Sequence, residues 1–335
     1  MGGAPMACRP IPLLTAIALG LAASAIGTPA VRAQDYPARP VTLIVPFAPG
    51  GSVDVVARVL SQKLAERFGK PVLVENRPGA GTVTAASAVA KAAPDGHTLL
   101  LAVSGTLAIN ANVYKKLPYD PVKSFAPIAL VDLVPTVLVV NTELPVYAPS
   151  DLIKLAKQRP GQLSYGSSGL GSSLHLSAEL LKSMTGIEMT HVPYRGGAQA
   201  IMDVIAGHVE LMFADPASAL PQIRDGKVRA LGVSSVSPVP AVPEVPPIAE
   251  AGVPGFEAVS WQMIVAPAHT PKEIVNRLHT ELKTIAASPD VRQTIVKSGL
   301  VPIESPTPAE LGDFVRSEIV CWRRIVETAG LIGSE

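Results

Sequence analysis

The hydrophobic pattern between Val41 and Leu64 predicts a buried strand, a glycine turn and an amphipathic helix in direct succession. Val41–Val45 is an apolar, largely β-branched run without polar alternation, typical of a strand covered on both faces. Prolines and glycines follow, and apolar residues then recur at spacings of three and four up to Leu64. Ser52 stands where a helix N-cap is expected. Free N–H groups at such a helix start can bind a carboxylate or phosphate, although a purely structural connection would show the same pattern.

The same order of strand, turn and helix recurs along the first third of the chain. Apolar strands are predicted at residues 72–75 and 99–103, and a small polar or glycine-rich turn follows each of them. This alternation indicates an α/β fold with a doubly wound, mostly parallel sheet flanked by helices. Ligands bind such sheets at the carboxyl ends of the strands, where the turns gather.

A second lobe is predicted beyond a β-rich run that starts near Asp132. From residue 163 the opening architecture repeats, with a strand end, a polar glycine turn at 166–171 and a helix. A long apolar strand near residue 260 then returns to the first lobe. We therefore predict a discontinuous first lobe at 34–140 and 256–335, an inserted second lobe at 141–255, and a ligand cleft between them.

Residues 1–33 have the features of a cleaved signal peptide. They combine a basic Arg9, an apolar run at 11–26 and a small-residue site ending at Ala33. Sixteen apolar residues are short for a membrane span, so we expect an exported, periplasmic protein. The chain has 28 basic and 27 acidic residues, and this balance gives no reason to expect nucleic acid as a partner. Cys321 would be the only cysteine after cleavage, which excludes an intramolecular disulfide.

Seven strings along the chain carry a resemblance to a known family. They are, in order, VPFAPGGSVDVVAR, ENRPGAGT, APDGHTLL, KLPYDPVKSFAPI, YGSSGLGSSLHLSAELL, HVPYRGGAQA and GKVRALGV. The set resembles the periplasmic solute-binding receptors of tripartite tricarboxylate transporters. The resemblance implies a two-lobed type II periplasmic-binding-protein fold, a small carboxylate solute, and delivery to the permease subunits of the membrane transporter. A monomer without cofactor or metal is expected.

The resemblance also implies a set of ligand-binding positions, in which backbone and hydroxyl groups of the cleft loops hold the carboxylate. Carried over to this chain, they are Phe47, Gly50, Gly51 and Asp54 in the first loop, Ser104, Gly105 and Thr106 in the second, Ser167, Ser168, Gly171, Ser172 and Ser173 in the third, and Tyr194, Arg195, Gly196 and Asp215 at the rim. The chain departs from the family at Thr82, Val83 and Thr84, where members often have glycine, isoleucine and glycine.

Several roles stay open at this level. Asp54, in the first helical turn, can fix its own backbone or accept a hydrogen bond from a ligand amine or a water. Arg195 can bind a carboxylate with two hydrogen bonds or lie solvated on the surface. Trp261 and Tyr165 can stack on an aromatic ligand or pack in the core. The solute can be citrate-like, a dicarboxylate, an aromatic acid or an acidic amino acid.

Two other classes of function compete with a transport receptor. A sensory module that presents the solute to a membrane kinase would use the same cleft. A hydrolase would use the serine-rich turn, with His175 as a base towards Ser172 or Ser168, but Leu170 stands where a nucleophile elbow requires glycine. The chain also has no complete dinucleotide fingerprint, no GK[ST] and no HExxH, so we expect no enzyme and no metal site.

Overall fold

A computed structural model describes residues 36–334 as an α/β protein with two sheets. The predicted signal peptide lies outside the described residues. The strands are β1 Val41–Val45, β2 Val72–Asn76, β3 Thr98–Val103, β4 Phe125–Val134, β5 Val137–Asn141, β6 Ser164–Ser167, β7 Thr190–Pro193, β8 Leu211–Ala214, β9 Val228–Val233, β10 Ser260–Pro267 and β11 Val301–Pro302. The helices are α1 Ser52–Phe68, α2 Val83–Ala90, α3 Asn110–Val113, α4 Pro149–Gln158, α5 Ser173–Thr185, α6 Gly197–Ala206, α7 Pro216–Arg224, α8 Lys272–Ala286, α9 Pro289–Lys297 and α10 Pro308–Thr328.

The first sheet has the order β11-β4-β10-β3-β1-β2, and the second has the order β7-β6-β8-β5-β9. In the first sheet, β1 pairs in parallel with β2 and β3, whereas β10 runs antiparallel to both β3 and β4. In the second, β6 is parallel to β7 and β8, whereas β5 is antiparallel to β8 and β9. The expectation of mostly parallel sheets is confirmed, because four strands of each sheet run in one direction. The strands that run the opposite way are β5 and β10, which follow the passages between the sheets, and the short β11. The two-lobed α/β class itself is confirmed.

The chain passes between the two sheets inside the β-rich run noted in the sequence. β4 ends at Val134 in the first sheet and β5 begins at Val137 in the second. The return passage lies between β9 and β10. The exact lobe boundaries stay a prediction, and β5 pairs entirely within the second sheet.

Alternating residues of β1 enter two different apolar cores, which explains its uninterrupted apolar sequence. Leu43 packs with Leu60 of α1 and Leu278 of α8 on one face. Ile44 packs on the other face in a cluster that includes Val315 of α10. Full burial of each such side chain contributes about 1.5–3 kcal/mol, so this strand and its helices hold the first cleft loop in place. Within 36–334, no helix is both long and apolar enough for a membrane span.

Candidate ligand-binding cleft

The first cleft loop joins β1 to α1 and supplies a helix start without a side-chain cap. α1 begins at Ser52 and its N-cap is Gly51, so the predicted N-cap at Ser52 is wrong by one residue. The N–H groups of Ser52 and Val53 lie in the first helical turn and have no partner within the helix. Gly50 has φ = +97°, which favours glycine, and a side chain on Gly50 or Gly51 would face open space. The loop therefore leaves N–H donors beside open space.

Asp54 is buried against this loop, and both carboxylate oxygens are occupied. The Gly50 N–H and Arg58 Nε donate to Oδ2 at 3.0 and 2.9 Å. Asn76 Nδ2 and Arg58 Nη2 donate to Oδ1 at 2.9 and 3.1 Å. Burial alone would raise the pKa of Asp54, but these hydrogen bonds outweigh burial and hold the pKa below its usual range. Of the two roles left open by the sequence, the contacts support the structural one.

Asn76 is a positioning residue that the sequence pattern did not predict. Its Nδ2 donates to the carbonyl of Phe47 at 3.0 Å in addition to Asp54. It therefore ties the start of the first loop and the first turn of α1 to the neighbouring strand. A sequence signal existed, because Asn76 stands at the carboxyl end of β2 directly before the RPGAG turn. Phe47 keeps 39% of its surface exposed at the rim.

The second cleft loop follows β3 and presents backbone groups instead of hydroxyls. Ser104 and Thr106 are fully buried. The two hydroxyl oxygens of Ser104 and Ser260 lie 2.6 Å apart, and Thr106 Oγ1 donates to Thr82 Oγ1 at 3.0 Å. Gly105–Ile109 is a π-helical turn, whose first N–H groups have no partner inside the turn. Of the predicted Ser104, Gly105 and Thr106 positions, only Gly105 is partly exposed and can meet a ligand in this conformation.

The glycine turn Ala80–Thr82 is joined to the second loop. Its residues have φ values from +45° to +80°, although only Gly81 is a glycine. Asn110 Nδ2 donates to the Gly81 carbonyl at 2.8 Å, and Thr106 holds Thr82 through its hydroxyl. The left-handed backbone conformation is costly for a threonine, which stands at position 82 where the chain departs from the family. The two hydrogen bonds stabilise the turn in this conformation.

The third cleft loop joins β6 to α5, and its hydroxyl groups shape the loop itself. Ser172 Oγ caps α5 by accepting the His175 N–H at 3.3 Å, and it donates to the Gly169 carbonyl at 2.8 Å. Ser167 is completely buried, and its Oγ accepts the Gly169 N–H at 3.1 Å. Within the described chain, the backbone N–H groups of this loop left without an acceptor are those of Ser168, Leu170 and Ser173.

Two stacked histidines support the third loop. The rings of His175 and His191 lie 3.9 Å apart, and Tyr165 stacks on His191 at 5.0 Å. The Gly171 N–H donates to Nδ1 of His175 at 3.1 Å, and Ser167 Oγ lies 2.7 Å from Nε2 of His191. Burial and the neighbouring His191 lower the pKa of His175 to about 4, so the ring is neutral at pH 7. His175 is therefore a hydrogen-bond acceptor that shapes the loop and is not placed as a base.

The start of α6 forms a second uncapped helix start, this time next to an arginine. The N-cap Gly196 makes no side-chain hydrogen bond. Arg195 directly precedes it, is exposed, and has no ion pair or hydrogen bond to any described residue. The hydroxyl of Tyr194 is engaged elsewhere, since it donates to Asp203 Oδ2 at 2.6 Å. Arg195 is thus available to a carboxylate, whereas the hydroxyl of Tyr194 is not.

Asp215 caps α7 and lies against the start of α6. Its Oδ1 accepts the Ser218 N–H at 3.1 Å, and its Oδ2 accepts the Ser218 hydroxyl at 2.7 Å. A methyl group on Gly197 would lie 2.7 Å from Oδ2, so a larger residue there would require the Asp215 side chain to shift. Like Asp54, Asp215 uses its carboxylate within the protein.

Contacts between loops of the two sheets show that their carboxyl-end edges face each other. A methyl group on Gly171 would lie 3.2 Å from Val113 of α3, directly after the second loop. A methyl group on Gly299, just before β11, would lie 2.2 Å from Cβ of Pro216, the first residue of α7. The predicted positions therefore gather at two facing edges, with the hydroxyls of Ser104, Thr106 and Ser167 turned into the protein.

Trp261 and Tyr165 lie in the core and not on the cleft surface. They are 1% and 0% exposed. The Trp261 indole N–H donates to Glu318 at 2.7 Å, and the Tyr165 hydroxyl donates to Glu179. The packing alternative is confirmed for both rings.

Two α/β sheets with donor-rich loops at facing edges define a solute-binding protein of the type II periplasmic class. Over residues 56–331 the chain matches the family described as the tripartite tricarboxylate transporter family receptor, and it belongs to that family. The resemblance found in the seven sequence strings is therefore confirmed.

Individual relatives cover nearly the whole chain. The UPF0065 protein in the tcbD-tcbE intergenic region of Pseudomonas sp. (strain P51) is 40% identical over 315 residues, 94% of this chain and 93% of that protein. The structure of R. palustris Rpa4515 with adipate is 41% identical with a TM-score of 0.82, covering 88% of this chain and 99% of that one. MatC (Rpa3494) from Rhodopseudomonas palustris with bound malate is 35% identical with a TM-score of 0.78, covering 87% and 100%. Both structural neighbours are ligand-binding proteins.

Proposed function

We propose that the protein captures a small carboxylate-bearing solute between its two lobes in the periplasm and delivers it to the permease of a tripartite tricarboxylate-type transporter. The observation that supports the capture is the set of unpartnered backbone N–H groups on loops of both sheets. A carboxylate only accepts hydrogen bonds, so it complements such a surface. The adipate and malate bound to the two related structures are ligands of this chemical kind.

Two further observations support delivery to a permease and export. Family membership supports a membrane partner, and the predicted signal peptide at 1–33 supports a periplasmic location. Amino-terminal sequencing of the protein from a periplasmic fraction tests the location directly, since cleavage after Ala33 leaves Gln34 first.

The capture site is tested by comparing Gly51→Val with Ser172→Ala in titration calorimetry against a panel of carboxylates. Gly51 has φ = −79° and open space beside it, so the variant should fold normally while its side chain blocks the approach to the N–H groups of α1. Ser172→Ala removes the cap of α5 and the hydrogen bond to the Gly169 carbonyl, each worth about 1 kcal/mol, but leaves the backbone N–H groups of the loop in place. We expect Gly51→Val to lose at least about tenfold more affinity than Ser172→Ala. Equal, near-normal affinity in both folded variants would rule out the first loop as the carboxylate site.

A further inference from the structure

We infer that Leu170, at the tip of the third cleft loop, contacts the carbon chain of the bound acid and makes affinity depend on the length of that chain. The inference rests on the proposed function and deepens it, because it adds a specificity-determining residue to the same cleft. The family resemblance implies ligand contacts for residues on both sides of Leu170 but none for Leu170 itself.

Leu170 is a large apolar side chain that the protein leaves outside its cores. It is 43% exposed and belongs to none of the four apolar clusters of the described chain. The glycines on either side, Gly169 and Gly171, have φ values of +119° and +67°. These two glycines form the turn that leaves the leucine at its tip. The side chain therefore contributes no core packing and is available for a contact made on binding.

The tip of this loop lies where the two lobes approach each other. A methyl group on Gly171 would lie 3.2 Å from the side chain of Val113 in α3, which follows the second cleft loop. Gly171 is buried, whereas Leu170 beside it is exposed. The N–H group of Leu170 has no acceptor among the described residues. Leu170 thus combines a free donor with an exposed apolar side chain beside the contact with the first lobe.

The first cleft loop offers apolar groups from the opposite lobe. Phe47, Ala48 and Pro49 directly follow β1 and are all exposed, and Phe47 belongs to none of the apolar clusters of residues 36–334. A solute between the facing edges can therefore meet apolar surface on both sides of its carbon chain. Hydroxyl groups of Ser168 and Ser173 can still bind polar substituents, so the inference concerns the carbon chain alone.

Contact with Leu170 gives the affinity a dependence on chain length that a purely structural leucine would not. Full burial of one methylene is worth about 0.8 kcal/mol, or about fourfold in affinity. Partial burial of two methylenes should therefore give at least about fivefold. If Leu170 only shaped the turn, its replacement would change the affinity of short and long acids by the same factor.

The test is titration calorimetry of succinate, glutarate, adipate and suberate against the wild type and Leu170→Asn, each shown to be folded by circular dichroism. In the wild type we expect adipate to bind at least about fivefold more tightly than succinate. In Leu170→Asn this ratio should fall below about twofold, mainly through weaker binding of adipate. Leu73→Asn is the matched control, because Leu73 is 54% exposed on the edge strand β2. It should keep the wild-type ratio.

The alternative outcomes separate this inference from the proposed function. An unchanged ratio in Leu170→Asn, or an equal loss for succinate and adipate, would overturn the role of Leu170 and leave carboxylate capture standing. Binding of citrate or malate without binding of any of the four unbranched acids would do the same. Absence of binding for all six acids would overturn the inference together with the proposed function.

Discussion

Asp132 lies fully buried in β4, and neither carboxyl oxygen has a hydrogen-bond partner among the described residues. Its cross-strand partner Gln262 in β10 is buried and unpartnered as well. Burial raises the pKa of Asp132 well above its usual value, so the folded protein keeps a proton that the unfolded chain releases above about pH 4. The free energy of unfolding therefore falls as pH rises from about 4 towards the raised pKa.

Replacement of Asp132 by asparagine should remove this loss of stability at neutral pH, because an asparagine does not ionise. We expect Asp132→Asn to melt at a higher temperature than the wild type near pH 7.5, and the difference to shrink near pH 4. Thermal unfolding at both pH values measures it, with the exposed Asp225→Asn as control. A lower melting temperature for Asp132→Asn near pH 7.5 would contradict the assignment of an unpaired buried carboxyl.

The titration of His175 gives the free energy of unfolding a pH dependence of the opposite sign. Its folded pKa, about 4, lies below the ordinary value of about 6.5, so only the unfolded chain takes up a proton between these values. The stability present above pH 6.5 is therefore lost as pH falls towards 4, by a few kcal/mol at most. Protonation of Nδ1 would also remove the acceptor for the Gly171 N–H.

The variant His175→Asn isolates this effect, because an asparagine oxygen can replace Nδ1 as an acceptor but does not titrate. We expect the variant to lose less stability than the wild type between pH 7 and 4.5 in chemical denaturation. His208→Asn, at an exposed position, should keep the wild-type dependence. Identical pH profiles for the wild type and His175→Asn would rule out this histidine as a source of acid sensitivity.

The first cleft loop depends on the neighbouring strand β2 for its position. Asn76 of β2 holds both Phe47 and Asp54, so Asn76→Ala should free the loop from the sheet. Because the residue is near the surface, we expect carboxylate affinity to fall several-fold while the melting temperature changes little. Titration calorimetry of Asn76→Ala beside the exposed Asn276→Ala checks this. Unchanged affinity in Asn76→Ala would show that the loop needs no such support.

The sequence predicts elements well where the information is local. The β1–α1 unit follows from an apolar run, glycines and a helical stripe within 24 consecutive residues, and its only error is one residue at the N-cap. The roles of Asn76 and Arg58 could not be predicted in the same way, since their contacts with Asp54 arise when a neighbouring strand or the next helical turn is in place. Likewise, nothing in the local pattern of β10 gives its antiparallel direction, which comes from its return from the second sheet.

The predicted site residues also differ in burial, and their residue types alone do not predict this difference. Ser104, Ser167 and Thr106 are small and polar at strand ends, as a ligand site requires, yet their hydroxyls fasten the loops internally. Gly51 and Arg195, in contrast, keep the exposure that the sequence led us to expect. The sequence thus located the loops, while their hydrogen-bond networks decide which groups face the cleft.

The two lobes approach each other closely at Gly299 and Pro216. A methyl group on Gly299 would lie 2.2 Å from Pro216 Cβ, so Gly299→Ala should prevent this approach of the lobes. We expect a larger radius of gyration in small-angle X-ray scattering with carboxylate present, and weaker binding. Gly330→Ala is the matched control, because Gly330 has a similar positive φ of +69° and no neighbour within 4 Å.

A second substitution, at Pro216, distinguishes a steric clash from backbone strain as the cause of weaker binding. Pro216→Gly, added to Gly299→Ala, should restore affinity towards the wild-type value if the clash is the cause. Equal loss in Gly299→Ala and Gly330→Ala, without rescue, would assign the effect to strain and contradict a role for this contact in closure.

We predict that the cleft binds a carboxylate and leaves it chemically unchanged. Titration calorimetry of the purified protein without residues 1–33 against adipate, malate, citrate and aromatic acids, followed by recovery and mass spectrometry of the ligand, tests it most directly. We predict saturable binding of at least one acid at one site per chain, with the acid recovered chemically intact. Absence of binding for every acid in the panel would contradict carboxylate capture, and recovery of a converted product would contradict binding without conversion.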